Sequence, residues 1–299
     1  MEYNFKETQA RLLPMLKAFH QFCVEHDLKY SLYAGSMLGA IRHKGFIPWD
    51  DDVDIIMPRK DYDRFIELTK DYFVEGYHVS SPYNDSNAFI TFAKVVDSNT
   101  TIVEYEEYDK YVIGVFLDIM PIDGVPENKG TARRLFWIYQ HLRRLGFMSL
   151  ANYKLKDTHI KHNGVPKITL PHLIENKLCR LLINGQKMLQ RADRMIAKIP
   201  YNASDVLRVY TSPHYAKRLV DRQILEEFVL VPFEDSEFYC AKGYNKYLTL
   251  LYKDYMKLPP VEKRVSLHEQ YFIDLNKRYT YSEIQKMMKG KKETDESEG

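Results

Sequence analysis

Apolar residues recur at helical spacing near the start of the chain, and shorter alternating stretches follow. An amphipathic helix is predicted over residues 5–26, with an apolar face made by Leu12, Leu16, Phe19 and Cys23. A second helix is predicted over residues 61–73. Strands are predicted near residues 77–79, 89–96, 101–105 and 112–119. The order of these elements indicates a sheet covered by helices on one side, which is the α+β class.

Between the two helices, the pattern changes within about twenty residues. Residues 30–34 are predicted as a short strand, Gly35 and Ser36 as a tight turn, and residues 37–43 as a brief helix that ends at Gly45. Val53, Ile55 and Ile56 then predict another strand.

The second half of the chain has a different character. Residues 131–200 are predicted to be mostly helical, residues 200–232 to contain short extended pieces, and residues 238–255 to form a tyrosine-rich helix. The charged tail over residues 289–299 is predicted to be disordered. We therefore expect a catalytic core at 1–130, a mostly helical region at 131–235 that handles the acceptor, and a C-terminal helical part at 236–288 that completes the core.

The composition is that of a soluble enzyme. The chain has 299 residues and a net charge of +2, which gives no reason to expect a nucleic-acid partner. No apolar run is long enough to span a membrane, and the N-terminus lacks a secretory signal. Three widely spaced cysteines are predicted to be reduced, which suggests a cytoplasmic protein.

An acidic cluster precedes the strand at residues 53–56. Side chains on a strand alternate between its faces, so Asp52 and Asp54 are predicted to point the same way and Asp51 the other way. If the extended conformation already holds at Asp50, this residue joins the first pair. Neighbouring carboxylates repel unless a cation lies between them, and Mg²⁺ prefers such oxygen ligands. The alternative is a solvated turn rich in proline and aspartate.

The turn upstream suits a phosphate. A helix start offers unpaired amides, Gly35 allows close approach of the backbone, and Ser36 can donate its hydroxyl or cap the helix. Gly-Ser turns also occur simply as helix caps. Three cations follow that either neutralise a diphosphate or occupy an ordinary last helical turn; they are Arg42, His43 and Lys44.

The run from Gly35 to Ile55 closely resembles the motif of the LicD family of phosphotransferases. The resemblance continues over residues 92–101 and 116–124 and, in part, over residues 251–264. Family members usually have glycine where this chain has Lys253. The resemblance implies a nucleotidyltransferase-like mixed sheet flanked by helices. It also implies transfer of phosphocholine from CDP-choline to a cell-surface glycan, and kinship with fukutin-related ribitol-phosphate transferases.

Two further residues become candidates beside the resemblance. Asp118 lies in an otherwise apolar strand, where an unpaired acid would be costly, so it is predicted either to complete the metal ligands or to take the proton of the attacking hydroxyl. A strand-end cap is the alternative. Lys94 is predicted either to reach a donor phosphate or to extend to solvent. Asp123, beside Gly124, is predicted to belong to an ordinary turn.

A helix over residues 133–150 carries an apolar stripe with arginines alongside. It fits either an interfacial helix that reaches a lipid-linked glycan, in peripheral contact with the inner membrane face, or a packed helix of the fold. The 23 tyrosines permit an aromatic box for a quaternary ammonium group, but composition does not locate it. Trp49, beside the acidic cluster, either contributes to donor binding or packs against the core.

The resulting hypothesis is metal-assisted phosphoryl transfer from a CDP-linked alcohol to a hydroxyl of a glycan or teichoic-acid precursor, with release of CMP. One or two Mg²⁺ ions, or Mn²⁺, are expected on Asp52, Asp54 and Asp118. Gly35, Ser36, Arg42 and Lys94 are expected to bind the donor phosphates, and His268 is a second candidate base. Three alternatives remain: a glycosyltransferase, a nucleotidyltransferase that adds AMP, and a non-enzymatic scaffold.

Overall fold

The protein is described here from a computed structural model, which covers residues 5–105, 108, 110–153, 169–212, 218–265 and 270–288. The helices are α1 (Phe5–Glu25), α2 (Ala34–Leu38), α3 (Arg59–Leu68), α4 (Lys129–Leu150), α5 (Leu170–Leu182), α6 (Gly185–Ala197) and α7 (Tyr244–Tyr252). A π-helical turn, Gly39–His43, continues α2, and residues 281–288 are also helical. The strands are β1 (Ser31–Leu32), β2 (Asp54–Pro58), β3 (Tyr77–Ser80), β4 (Ala93–Asp97), β5 (Thr101–Val103), β6 (Phe116–Gly124), β7 (Val206–Arg208), β8 (Val220–Asp221), β9 (Phe228–Phe233), β10 (Ser236–Ala241) and β11 (Phe272–Asp274).

The described residues form a central sheet of seven strands that confirms the predicted α+β class. Its main path runs β1-β2-β6-β4-β3, and β7 and β8 extend it beyond the end of β6. Strands β2 and β6 are parallel, whereas β6 pairs antiparallel with β4, and β4 with β3. The pairs β9–β10 and β5–β11 lie outside this sheet. A mixed sheet of this kind places residues from distant parts of the chain side by side.

Helix α1 confirms the first prediction from the sequence. Its buried face includes Leu12, Leu16, Phe19 and Cys23, all fully shielded from solvent. The ring of Phe19 contacts those of Tyr30 and Phe65 with centroid distances of 5.1 and 5.5 Å. Burying a large apolar side chain contributes about 1.5–3 kcal/mol, so this face anchors α1 on the core.

Other predictions require correction at their boundaries. Helix α3 begins at Arg59 and ends at Leu68, earlier than expected. The predicted helix over residues 238–255 is wrong at its start, because residues up to Ala241 form β10 and the helix runs only from Tyr244 to Tyr252. Tertiary pairing with β9 decides this point: Phe238 and Cys240 alternate inward and are fully buried.

The second half of the chain contains the predicted helices, α4 to α6. Helix α4 packs closely on α6, because a Cβ atom at Gly146 would lie 2.5 Å from Leu189 Cδ2. Leu142 on the predicted interfacial stripe also packs against a cluster of buried residues. Much of α4 is therefore a packed helix. The division into domains stays a prediction, and the tail at 289–299 lies outside the described residues.

A buried ionic network joins the sheet to α6 and corrects the prediction for Asp123. This residue lies within β6, and its oxygens accept hydrogen bonds of 2.6 and 3.0 Å from Arg59. Arg59 also donates to Asp193 of α6 at 2.9 Å. Burial raises the pKa of Asp123 to about 6, while Arg59 opposes that shift. The acid therefore serves as a structural link and not as a residue of a surface turn.

The three cysteines are free and buried, as expected for reduced core thiols. Within the described part of the chain, none of the helices has the length and apolar character needed to cross a membrane.

Lys253 ends α7 in a backbone conformation that side chains disfavour. Its φ and ψ angles are 61° and −110°. The Cβ atom makes this left-handed region costly for every residue except glycine. The geometry explains why a family that usually places glycine here would do so, and it indicates local strain of about 1–3 kcal/mol in this chain.

We expect Lys253→Gly to stabilise the protein by about 1 kcal/mol, because relief of strain exceeds the added entropy of the unfolded chain. Urea unfolding measures the change. Lys257→Gly is the matched control, since Lys257 is also exposed but is not among the positive-φ residues. The control should destabilise, and an equal loss in both variants would contradict the assigned strain.

Candidate functional site

Three candidate residues lie in one row across the centre of the sheet. Asp54 of β2 is paired in register with Asp118 of β6, and Asp118 is paired with Lys94 of β4. Paired positions on neighbouring strands are about 5 Å apart and direct their side chains to the same face. The strands therefore bring together residues that are more than sixty positions apart in the chain.

Asp52 joins this face through the alternation of its strand. A hydrogen bond of 2.9 Å from Asp118 N to Val53 O extends the β2–β6 ladder one residue before β2 begins. Along residues 51–55, Asp51, Val53 and Ile55 are buried, whereas Asp52 and Asp54 are half-buried. Asp52 and Asp54 thus share the open face, and Asp51 faces the other side, as the sequence predicted.

Lys94 does not extend to solvent. Only 2% of its side chain is exposed, and its Nζ lies 3.0 Å from Asp118 Oδ1 and 3.3 Å from Glu104 Oε2. It also lies 3.2 Å from the centroid of the Phe116 ring. Burial alone would lower the pKa of Lys94, but the two carboxylates outweigh it and raise this pKa. Lys94 is therefore a fixed positive charge.

Glu104 is a site residue that the sequence did not reveal. It follows β5, which pairs with β11 and not with the central sheet, so no periodic pattern connected it to Lys94. Only the fold places its carboxylate against that ammonium group. The remaining signal, the first of several acids after a short apolar strand, is too common to be informative.

The Gly35–Ser36 segment lies against the start of β2. The predicted tight turn is wrong, because both residues belong to α2, which the backbone enters through Ala34 with a φ of 43°. Ser36 Oγ accepts a hydrogen bond of 2.9 Å from Asp54 N, and Tyr33 N donates to Asp54 O. The N-cap residue is Tyr33, so Ser36 is not the helix cap. Its hydroxyl oxygen holds Asp54 in place, and its proton remains a donor.

Gly35 is needed for close approach of a carboxylate. A Cβ atom at this position would lie 3.0 Å from Asp50 Oδ2, tighter than ordinary van der Waals contact. Asp50 itself lies in a turn, with its N–H bonded to Ile47 O, and Gln9 of α1 donates to its carbonyl oxygen. Asp50 therefore does not continue the strand. Its carboxylate approaches Gly35 from the side.

Arg42 and Trp49 meet the C-terminal segment. Arg42 Nη1 donates to Tyr255 O at 2.9 Å, and the guanidinium group of Arg264 lies 5.5 Å from the Trp49 ring centroid. Arg42 Nε also donates to His43 Nε2. Burial and the charge of Arg42 lower the pKa of His43, which makes it a poor counterion for a diphosphate at neutral pH. The first and last motifs of the resemblance thus contact each other.

Comparison with known proteins identifies the family. Residues 27–163 match the profile of the LicD/FKTN/FKRP nucleotidyltransferase domain, which includes all the residues of the row and the turn. The chain is 32% identical over 271 residues to the lipopolysaccharide cholinephosphotransferase LicD of Haemophilus influenzae. That alignment covers 89% of this chain and 97% of the relative. The chain belongs to the LicD family.

Two further matches cover less of this chain. An uncharacterized protein of Rickettsia typhi is 29% identical over 128 residues, which cover 42% of this chain and 39% of the relative. The mannosyltransferase regulator 4 of Saccharomyces cerevisiae is 23% identical over 186 residues, 59% of this chain but 14% of the yeast protein.

The carboxylates of this LicD-family site fit Mg²⁺ by their chemistry and backbone placement. Asp52, Asp54 and Asp118 are hard oxygen donors that project from paired or alternating positions onto one half-exposed face. Among the described residues, however, no group of three or more His, Cys, Asp or Glu side chains is arranged to hold a metal ion. Asp118 is engaged by Lys94, so metal binding requires these side chains to rearrange. The metal ligands stay a prediction.

His268, the second candidate base, lies outside the described residues. Trp49 packs against the main hydrophobic core, partly buried, and lies beside Arg264.

We expect Ser36→Ala to destabilise the protein by about 1–3 kcal/mol, because the backbone N–H of Asp54 would lose the hydroxyl oxygen that accepts its hydrogen bond. Ser31→Ala is a matched control remote from the row, since Ser31 Oγ accepts a hydrogen bond of 2.9 Å from Ala241 N. Denaturant unfolding should give similar losses for both variants. A neutral Ser36→Ala with a costly Ser31→Ala would show that Ser36 does not support Asp54.

Proposed function

We propose that the protein transfers phosphocholine, or a related phospho-alcohol, from a CDP-linked donor to a hydroxyl of a glycan or teichoic-acid precursor and releases CMP. One observation carries this proposal. Asp54, Asp118 and Lys94 lie in register in one row, beside the Gly35–Ser36 segment. The relationship over 89% of the chain to a lipopolysaccharide cholinephosphotransferase supports it.

We assign the donor phosphates to the Gly35–Ser36 segment and to two cations, Lys94 and Arg42. Gly35 has no side chain to block a phosphate oxygen, but the Asp50 carboxylate lies beside it and would have to move aside. The Ser36 hydroxyl has a proton to donate while its oxygen accepts the hydrogen bond from Asp54 N. Lys94 supplies a positive charge at a fixed position, because its side chain is buried. Arg42 lies in the π-helical turn that follows α2, with its guanidinium anchored on Tyr255 O.

Asp52, Asp54 and Asp118 are the proposed holders of one or two Mg²⁺ ions, with Mn²⁺ as a substitute. The ion, when bound, neutralises charge that develops on the diphosphate in the transition state. The protein's contribution is a face with three acids and a single buried cation, held rigid by the ladder between β2 and β6.

The reaction balances as a displacement at phosphorus. The acceptor hydroxyl oxygen forms a bond to the phosphorus that bears choline, the bond from that phosphorus to the bridging oxygen breaks, and CMP leaves with the electron pair. Asp118 is the proposed base for the hydroxyl proton in the alternative in which Asp52 and Asp54 alone hold the ion. The Asp118 side chain is 18% exposed, so it is accessible from the open face.

The choice among the alternatives rests on the family and on the site. The position of Gly35 and Ser36 against the Asp-x-Asp strand, through the hydrogen bond from Asp54 N to Ser36 Oγ, favours phosphoryl chemistry over glycosyl transfer. A scaffold without activity predicts no metal-dependent release of CMP, so the activity measurement separates it from the proposed enzyme. Addition of AMP from ATP uses the same kind of fold, and measurement of donor preference separates it from the proposed reaction.

We expect Asp52→Asn and Asp54→Asn to reduce turnover by about 10³-fold or more, because each removes a charge that the transition state requires. Release of CMP from CDP-choline in the presence of an acceptor glycan measures the effect. Both variants should keep the thermal unfolding temperature of the wild type within a few degrees. Asp71→Asn, at an exposed position of another loop, is the control and should be fully active.

Turnover like that of the wild type in either variant of the acidic strand would refute the assignment of these carboxylates.

Donor preference is expected to appear as selective thermal stabilisation by one CDP-alcohol in the presence of magnesium. The panel consists of CDP-choline, CDP-ethanolamine, CDP-glycerol, CDP-ribitol, UDP-sugars and ATP, each with and without the metal. Ligand binding to the folded state raises stability by about 2.7 kcal/mol at a hundred times Kd, which such a panel resolves. Stabilisation by ATP alone would favour AMP transfer, and by UDP-sugars alone glycosyl transfer.

A further inference from the structure

Helix α5 exposes a continuous apolar stripe. Leu170, Ile174, Leu178, Leu181 and Leu182 recur at intervals of three and four residues, which places them on one side of the helix. Their exposed fractions are 64, 54, 53, 79 and 75%. Isolated exposed leucines are normal on soluble proteins, but five on a single face of a thirteen-residue helix form a patch.

The orientation of α5 is fixed by its opposite side. Leu173, Asn176 and Cys179 are buried there. The side-chain amide of Asn176 donates to Met148 O at 2.6 Å and to Ala151 O at 3.0 Å, at the end of α4. A rotation of the helix that hid the stripe would break these buried hydrogen bonds and expose Leu173. The stripe is therefore held toward solvent.

The part of the chain that contains α5 is strongly basic. Residues 129–198 contain 15 Lys and Arg but only 3 Asp and Glu, a net charge of +12, whereas the whole chain carries +2. The remaining residues are accordingly acidic. This asymmetry is hidden by the overall charge, and it concentrates positive potential on the helical region.

Of the three acids in residues 129–198, the two that the structure describes are both paired with arginines. Glu175, the acidic residue of α5, pairs with Arg144 of α4 at 2.5 Å. Asp193 is buried against Arg59. Lys177 and Arg180 are exposed on α5 beside the leucines, and Arg180 Nη1 lies 2.5 Å from Asn152 Oδ1. An apolar stripe bordered by cations is the pattern of a helix that lies in a membrane interface.

We propose that α5 docks the protein on an anionic lipid bilayer, with its leucine stripe among the acyl chains and Lys177 and Arg180 at the headgroups. A second copy of this chain fits the stripe less well, because it would bring two regions of charge +12 together. An anionic bilayer complements both features, the apolar face and the positive charge.

The docking surface lies on α5 and not on α4, for which the sequence had left open an interfacial or a packed helix. Membrane docking would determine where the enzyme works and does not depend on which alcohol the donor carries. An enzyme attached in this way would meet lipid-linked acceptors within two dimensions, with its site on the separate sheet.

Flotation of the full-length protein with vesicles tests this inference. Vesicles of phosphatidylcholine with about 30% phosphatidylglycerol should bind the wild type, and vesicles of phosphatidylcholine alone should bind it far less. The variant Leu178→Ser/Leu181→Ser/Leu182→Ser should bind anionic vesicles at least about tenfold more weakly. Lys177→Gln/Arg180→Gln should also weaken binding, and high salt should reduce what remains for the leucine variant.

The matched control is Leu219→Ser/Leu230→Ser/Leu250→Ser, which changes three leucines of 42, 47 and 42% exposure outside the helical region. It should bind like the wild type. Circular dichroism and thermal unfolding establish that both triple variants are folded.

Three results would overturn the inference: no binding of the wild type to anionic vesicles, equal binding by the wild type and the α5 leucine variant, or a wild-type dimer that the α5 substitutions convert to monomer. The last result would assign the stripe to self-association. CMP release with a detergent-dispersed acceptor is a separate readout, because failure of vesicle binding leaves that activity unchanged.

Discussion

The parallel pairing of β2 with β6 is the constraint on which the site depends. It places Asp54 opposite Asp118 and continues to Pro58 opposite Ile122. Because side chains alternate along a strand, a slip of one residue would turn Asp54 toward the core and Ile55 toward solvent. Burial of Val53, Ile55 and Ile119 opposes that slip, since each contributes about 1.5–3 kcal/mol when removed from water. The hydrophobic core thus sets the geometry of the acids.

Concentrating carboxylates on one face has an electrostatic cost, and Lys94 offsets part of it. Its ammonium group lies between Asp118 and Glu104 at hydrogen-bonding distances and is almost completely buried. A buried charge that lost its partners would be strongly destabilising, so the three residues form one unit. Within this unit, Lys94 gives the site a positive charge at a fixed position near the Gly35–Ser36 segment. In the proposed function, structural stability and binding of the donor diphosphate would both depend on this side chain.

The protein separates two kinds of surface within one chain. The sheet presents the acidic residues, beside the Gly35–Ser36 segment of α2. The helices after β6 carry most of the excess positive charge, and α5 has an exposed apolar stripe. Arg59 connects the two parts through Asp123 of β6 and Asp193 of α6. Through this link, attachment of the helical region to a surface would hold the sheet at a defined distance from it. The arrangement suits an acceptor that is itself anchored.

Local sequence determined the features whose physics is local. The helical spacing of Leu12, Leu16, Phe19 and Cys23 was sufficient to predict α1, and strand alternation was sufficient to separate Asp52 and Asp54 from Asp51. The motif from Gly35 to Ile55 was sufficient to indicate the family. The resemblance to a glycine-containing motif also marked Lys253, whose left-handed backbone then showed why glycine suits that place.

Only the tertiary structure decided the features that depend on partners distant in the chain. Glu104 became part of the site because the fold places it against Lys94, and Asp123 proved to be a buried partner of Arg59 because α3 packs beside β6. Residues 238–241 form a strand because β9 offers them a ladder. Spacing and propensity describe neighbours along the chain. Pairing, burial and ionic contacts arise from neighbours in space, which a single sequence does not specify.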